Sequence, residues 1–547
     1  MDGPDRTEGE IPSGAPAPMD GWQTRAPMAL RKELHFGSRV LTCIAERPAT
    51  MHDMLVTAAA THPDADAVVA VEARLTHAAL QARGAEVAAG LVALGVQRGD
   101  RVAALLGNRA AFIEVLIACL RLGAVMLPLN PRYAPPEIAY AINDSGATVL
   151  LHEQDMTDAL PAPADTPALG ARIPVGDAPV FAGAGPAPAP TPAGEEDACF
   201  LLYTSGTTGR PKGAMLTNLN LVHSVMHFQV GMGLRTGDRT VLSVPAGHVT
   251  GLVANILALL SVGGAVIVQR AFKARAFLDL IAAERATHTL MVPAMYQLCL
   301  MDPAFDGFDL SSWRIGGFGG APMPVPTIEA LERRVPTLSL QQAYGATETT
   351  SPATLMPIEA TRTRPNAVGQ PVHCAEIVMM DDSGHEVPRG VVGELWIRGP
   401  MVVPGYWNRP DANEKEFAAG FWKSGDLGRM DASGFIEVLD RKKDMINRGG
   451  YKIFSSEVEN VLTRHASVAE CAVLGYPCEV LGERVRTVVT LAPGWTAEAA
   501  EPELRSLAQA NLADYRRPER YDFSTDPLPR NANGKVLKTA LRNAVAP

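Results

Sequence analysis

Apolar residues follow two rhythms along this chain. Short unbroken runs alternate with longer stretches whose hydrophobic positions fall three and four apart, a pattern that predicts strands alternating with helices. One arrangement occurs twice. Gly99-Asp100-Arg101 opens an apolar run, a helical stretch covers residues 112–120, and Gly123-Ala124-Val125 starts the next run. Gly237-Asp238-Arg239 opens the second copy, with a strand at 241–244, a helix at 252–260 and Gly264-Ala265-Val266 leading into another strand. Two strand–helix–strand units of matched length predict two similar parallel-sheet subdomains, because parallel strands need a crossover and buried ones read as continuous apolar runs. Leu80, Val87, Leu91 and Leu94 form one helical face ahead of the first unit.

Residues 249–268 run for twenty positions without a charge, the length of a membrane span. Gly263-Gly264 divide them into a helical piece ending near Ser261 and the β-branched run Val266-Ile267-Val268, which predicts a buried helix feeding a buried strand. Residues 160–195, rich in alanine and proline, are expected to form a surface connection. Beyond Asp440 the charge pattern changes at Arg441-Lys442-Lys443-Asp444. Ser456 and Glu459 then have capping-box spacing before a helix carrying Val458, Val461 and Leu462, and strands are expected at 472–474 and 485–491. The fold class read from these signals is α/β. A large N-terminal domain, residues 29–440, holds the two parallel-sheet α/β subdomains plus a smaller region, and a small mobile α+β C-terminal domain spans 441–547 with a hinge near 440–443. Residues 1–28 are expected to be a disordered extension.

Composition narrows the function classes. The 547 residues are 47% apolar and 20% charged, ordinary values for a folded globular protein. A formal charge of −10 provides no global field to gather nucleic acid, so an anionic ligand must be held locally. The seven cysteines are scattered with no C-x-x-C pair, and no basic start with an apolar run marks a signal peptide, so reduced thiols in a cytoplasm are expected.

The densest chemical signal is Tyr203-Thr204-Ser205-Gly206-Thr207-Thr208-Gly209-Arg210-Pro211-Lys212-Gly213, directly after the apolar residues 199–202. Glycines let backbone N–H groups converge on an oxyanion, the hydroxyls add donors and Lys212 adds charge, which suits a polyphosphate. It is not a Walker A loop, since Lys212 follows a proline and precedes a glycine. Ser205 lacks the flanking glycines of a nucleophile elbow.

Together with further motifs in order, this segment resembles the adenylate-forming superfamily of acyl- and aryl-CoA synthetases, carrier-protein adenylation domains and beetle luciferases, over about residues 50–540. The further motifs are Pro245-Ala246-Gly247-His248, Gly319-Gly320-Ala321-Pro322, Tyr344-Gly345-Ala346-Thr347-Glu348, Ser424-Gly425-Asp426, Asp440-Arg441-Lys442-Lys443, Gly449-Gly450-Tyr451 and Pro529-Arg530-Asn531-Ala532-Asn533-Gly534-Lys535. The resemblance implies a carboxylic acid:CoA ligase using ATP, Mg²⁺ and CoA. A carboxylate attacks the α-phosphate of ATP, pyrophosphate leaves, and a thiol captures the acyl-adenylate. It makes residues 29–440 the AMP-binding domain. Thr204 to Gly209 with Lys212 would hold phosphates, Glu348 the magnesium, and Tyr344 with Gly320, Ala321 and Pro322 the adenine, beside Gly345, Ala346 and Thr347. Asp426 and Arg441 would hold the ribose. Lys535 would bridge the carboxylate and α-phosphate, Lys443 would act as the hinge, and Gly449 and Gly450 would face the pantetheine arm.

By the same resemblance the acid pocket lies around His248, Thr250, Met295, Phe318, Gly319 and Ala346, with His248 on the acid or thiol path and Phe318 shortening the tunnel. Residues 245–249 lack the aspartate that amino-acid-activating relatives use for the ammonium, which disfavours an α-amino acid. Aryl acids and short or medium aliphatic acids both fit. The thiol acceptor is CoA or a carrier protein's phosphopantetheine. A nucleotide-binding regulator without catalysis is the alternative of another class, against which Lys535, Glu348 and the threonines are all present.

Overall fold

The computed structural model describes residues 21–204, 210–530 and 536–544. Each of the two repeated units seeds its own sheet. The first sheet has six strands in the order Lys212–Thr217, Ala198–Thr204, Val125–Pro128, Arg101–Leu105, Val149–Glu153 and Ala171–Val175, all parallel except the first. The second has nine strands. Its parallel centre runs Ser339–Tyr344, Ile315–Gly319, His288–Met291, Arg239–Leu242, Ala265–Val268 and Asp66–Val69. A five-stranded antiparallel sheet spans Glu376–Met380 to Ile436–Arg441, and residues 446–524 build a last five-stranded sheet of their own.

The two copies match in detail. In the first, Val125 N–H donates to the Asp100 carbonyl and the helix Ala110–Leu122 ends on left-handed Gly123 (φ 63°). In the second, Ala265 N–H donates to the Asp238 carbonyl, and the turn before the strand passes through left-handed Gly263 (φ 71°). A residue without a Cβ enters that region at no steric cost, so the chain reverses into the next parallel strand in both places. The uncharged stretch is, as predicted, a buried helix feeding the buried strand Ala265–Val268. Among the described residues no helix is long and apolar enough to cross a membrane. Its first eight residues, Thr250–Leu257, form a wide helix of i→i+5 type rather than an ordinary α-helix.

Three local expectations need correction. Leu94 is 40% exposed at the end of its helix, whereas Leu80, Val87 and Leu91 are buried, because the helix His77–Ala93 stops one residue short of it. The connection 160–195 contains Ala171–Val175, which completes the edge of the first sheet. Ser456 and Glu459 do not cap their helix. It begins at Ser455, Ser456 Oγ donates to the Leu439 carbonyl, and Glu459 accepts from Val473 N–H, so both side chains tie the helix to neighbouring strands.

All seven cysteines are free thiols. Residues 21–28, placed in the extension from sequence, include buried Trp22, whose indole N–H donates to the Leu355 carbonyl at 3.1 Å. Residues 1–20 lie outside the described residues.

The antiparallel pair Leu30–His35 and Arg39–Ile44 is lashed to the chain after the proline-rich connection by Arg47, which is 4% exposed and grips both Glu33 and Glu195. Arg47 holds the Glu33 carboxyl well below the usual carboxylate range. That contribution is complete above the ordinary glutamate range and fades as pH falls below it. Arg47→Gln removes the cation shared by Glu33 and Glu195 and leaves Glu33 with only its Arg31 and His35 partners. It is expected to lower the unfolding free energy at neutral pH by about 3 kcal/mol, and to flatten the decline of stability between about pH 5 and about pH 3, both read by urea denaturation.

Candidate active site

Ligands of open parallel sheets collect outside the carboxyl ends of the strands. In the second sheet those ends carry Gly319-Gly320 and Tyr344-Gly345, on neighbouring strands paired through Gly319 and Ala343. The close pairing excludes a side chain at Gly319, since a Cβ there would lie 2.5 Å from the Ala343 carbonyl. Gly320, Ala321, Pro322 and Gly345 are exposed, leaving main chain accessible beside the Tyr344 ring.

Tyr344 does more than present a ring. Its hydroxyl donates to Asp426 Oδ2 at 2.6 Å, and Arg441 Nε lies 2.6 Å from Asp426 Oδ1. Burial with the Asp426 charge pushes the Tyr344 phenol well above its ordinary value, so it stays a donor, and Asp426 raises the Arg441 guanidinium. Two lone-pair sites of the carboxylate are thus spent within the protein and two remain for a ligand, enough for a pair of vicinal hydroxyls. The structure brings together Tyr344, Asp426 and Arg441, residues separated by almost a hundred positions in sequence.

The segment Ser205, Gly206, Thr207, Thr208 and Gly209 lies outside the described residues, but its two flanks are clear. Thr204 and Lys212 pair across the antiparallel strands on either side. The second of these strands leans on the segment Gly405-Tyr406-Trp407: Met215 N–H donates to the Gly405 carbonyl, Trp407 N–H to the Gly213 carbonyl, and Ala214 bridges Tyr406. Glu348, whose carbonyl accepts from Val403 N–H, approaches from the second sheet.

These contacts build a charged cluster that motif reading missed. The Tyr406 hydroxyl lies 2.8 Å from Glu348 Oε1 and 2.8 Å from Glu416 Oε2. Lys212 pairs with the other oxygen of Glu416 and sits 4.3 Å over the Tyr406 ring. A phenol has one proton, so one of the two carboxyl groups must supply the second hydrogen bond. Burial raises the Glu348 carboxyl above its ordinary value. A buried carboxyl of this kind fits a hard cation, whose charge would replace the proton.

The residues expected to border the acid are mostly apolar, with a small polar edge. His248 Nδ1 lies 3.2 Å from Thr250 Oγ1 at the entrance to the wide helix. Asn255, fully buried in that helix, donates to the Thr250 and Leu290 carbonyls and accepts from Thr240 Oγ1. One carboxamide thereby clamps the entrance of the helix to two strands. Phe318 is buried in the main core, Met295 is half-buried, and Ala346 lies half-buried beside Tyr344 in the cluster around the antiparallel sheet.

The chain crosses toward the last sheet in two anchored steps. Arg441 pairs with Asp426, and Lys442 with Asp382 and Glu394, while Asp444 pairs with Arg542 of the terminal helix. Lys443 stands between the two sets. Its ammonium is lowered by burial and by the charges of Arg441, Arg542 and Lys538. Gly449 and Gly450 both take left-handed backbone (φ 60° and 88°). Lys535 lies outside the described residues, flanked by an antiparallel bridge between Arg530 and Val536.

Comparison with known proteins agrees with this arrangement. The family model for AMP-binding enzymes matches residues 55–407, and that for the AMP-binding enzyme C-terminal domain matches residues 457–535. A feruloyl-CoA synthase from Amycolatopsis sp is 38% identical over 88% of this chain and 96% of its own. The long-chain-fatty-acid–CoA ligase FadD13 of Mycobacterium tuberculosis is 32% identical, over 86% and 93%. The crystal structure of the anthranilate CoA ligase AuaEII in complex with anthranoyl-AMP superimposes with a TM-score of 0.84 at 25% identity, over 90% of this chain and 97% of that one. With both family models matched in order along the chain and relatives aligned over nearly their whole length, this chain belongs to the AMP-binding enzyme family and is an AMP-forming acid–CoA ligase, making an acyl-adenylate and then the CoA thioester.

Proposed function

We propose that the acid is an aryl-substituted carboxylic acid. Two observations support this reading. Similarity to the feruloyl-CoA synthase is higher than to the fatty-acid ligase over comparable lengths. Residues 243–268, which carry His248 and Thr250, hold no charged side chain, so an ammonium or a second carboxylate on the substrate would go unpaired there. An aromatic ring fits apolar walls, and the His248–Thr250 pair can receive a ring substituent.

In this reading the Tyr344–Asp426–Arg441 cluster is the observation that carries nucleotide binding, with Asp426 accepting from the ribose hydroxyls and the exposed Gly320-Ala321-Pro322 main chain bordering the base. Thr204, residues 205–209 and Lys212 take the phosphates. Mg²⁺ would be held by Glu348 and would spread the charge of the phosphate oxygens. Lys535 places a compact positive charge between the substrate carboxylate and the α-phosphate as the new C(O)O–P bond forms and pyrophosphate departs. In the second step the CoA thiol attacks the acyl carbon and AMP leaves.

The anchors on its two sides support a domain boundary near 441 with Lys443 as the pivot. Left-handed Gly449 and Gly450 would give the pantetheine arm a path along bare backbone.

Pyrophosphate exchange and AMP release with a panel of acids test the substrate class. Arylalkenoic, arylacetic and benzoic acids are expected to exceed octanoate in kcat/KM by at least about tenfold; octanoate turned over as well as the aryl acids overturns the assignment. Lys535→Ala is expected to slow adenylate formation by about 10²- to 10³-fold while sparing thioester formation from supplied acyl-adenylate, and equal loss in both steps would remove its assigned role. Gly449→Leu, which puts a side chain at φ 60° against Leu481, is expected to do the reverse in the same pair of assays.

A further inference from the structure

We propose that Glu416 is a built-in competitor for the triphosphate: it holds Lys212 while the nucleotide site is empty, yields it when ATP binds, and takes it back as pyrophosphate leaves. The inference rests on the reading of Lys212 as a phosphate-binding group and concerns a residue outside the motifs that define the site.

Two contacts fix the Lys212 ammonium where it is. The Glu416 carboxylate pairs with it directly, and the Tyr406 ring lies under it at 4.3 Å. Lys212 is only 15% exposed and Glu416 29%, so the pair is shielded on most sides rather than spread over open surface. Glu416 is itself held. Its second oxygen bonds the Tyr406 hydroxyl, and it ends the short helix Pro410–Glu416. Asn413 of that helix accepts from Tyr406 N–H and donates to the Tyr406 carbonyl. The anion is therefore presented to Lys212 by a rigid frame that also carries one side of the phosphate hairpin, through Ala214 and Tyr406.

Such a frame has a consequence for binding. A lysine at the root of a phosphate loop cannot satisfy a triphosphate and a protein carboxylate fully at once, and a charge-assisted hydrogen bond must be given up for the new one. The carboxylate left behind then faces an anionic ligand. Both effects weaken nucleotide and pyrophosphate binding together, which favours product release after adenylate formation.

The test is a double-substitution cycle read by KM for ATP at saturating Mg²⁺ and by the inhibition constant of pyrophosphate. Glu416→Gln is expected to lower both by about five- to tenfold, where a purely structural loss would raise them. Lys212→Met is expected to raise both. In the Lys212→Met background, Glu416→Gln is expected to change neither by more than about twofold. If Lys212→Met leaves both constants unchanged, the phosphate role of Lys212 fails and the competitor role falls with it. If Lys212→Met raises them but Glu416→Gln in the unsubstituted enzyme raises them or leaves them unchanged, with an unaltered thermal midpoint, only the competitor role fails. Should Glu416→Gln not fold, Glu416→Asp carries the same test, since a carboxylate withdrawn by one methylene is expected to lower both constants by a smaller factor and is overturned by a rise.

Discussion

The shared carboxylate of Asp426 is the interaction on which the site depends. It accepts from Tyr344 at the end of a parallel strand and pairs with Arg441 at the last position of the antiparallel sheet, so one acidic side chain fixes the Tyr344 ring, its own position and the residue that begins the crossing to the last sheet. Its charge adds to burial in raising the Tyr344 phenol and is the main cause that raises the Arg441 guanidinium. A site assembled from three strands needs such a node, since no strand alone places its side chain against the other two.

A second node, the Tyr406 hydroxyl, does for the groups around Lys212 what Asp426 does for those around Tyr344. It gathers Glu348 and Glu416 and lays its ring under Lys212. The two nodes differ in kind. The first is an ion pair with lone pairs to spare, the second a crowded carboxyl pair that is complete only with an added proton or cation.

Much of the frame was legible in the sequence because it rests on local signals. Glycines at 99, 123, 237 and 264 punctuate two apolar runs in the same order, and a matched rhythm in one chain dictates matched subdomains. The site was legible for a different reason: short motifs carry hydroxyls, glycines and charges at fixed spacing. What escaped was whatever depends on pairing between distant segments. Nothing around Tyr406 announces that Ala214 will bridge it, and nothing in the sequence singles out Glu416 from the neighbouring Asp411 and Glu414. Ser456 and Glu459 show the opposite failure. Their spacing satisfies a local rule, yet tertiary partners at Leu439 and Val473 take both side chains. Local propensity lost to a longer-range bond.

The wide helix Thr250–Leu257 has a consequence for how such an enzyme diversifies. Its carbonyls are offset by a residue from the α-helical ladder, and Asn255 ties the first of them to a neighbouring strand. Inserting or deleting one position would rotate every following side chain about the helix axis and break that tie. Evolutionary retuning along this helix is thereby channelled into exchanges of side-chain bulk at fixed places, a vocabulary of size rather than of length.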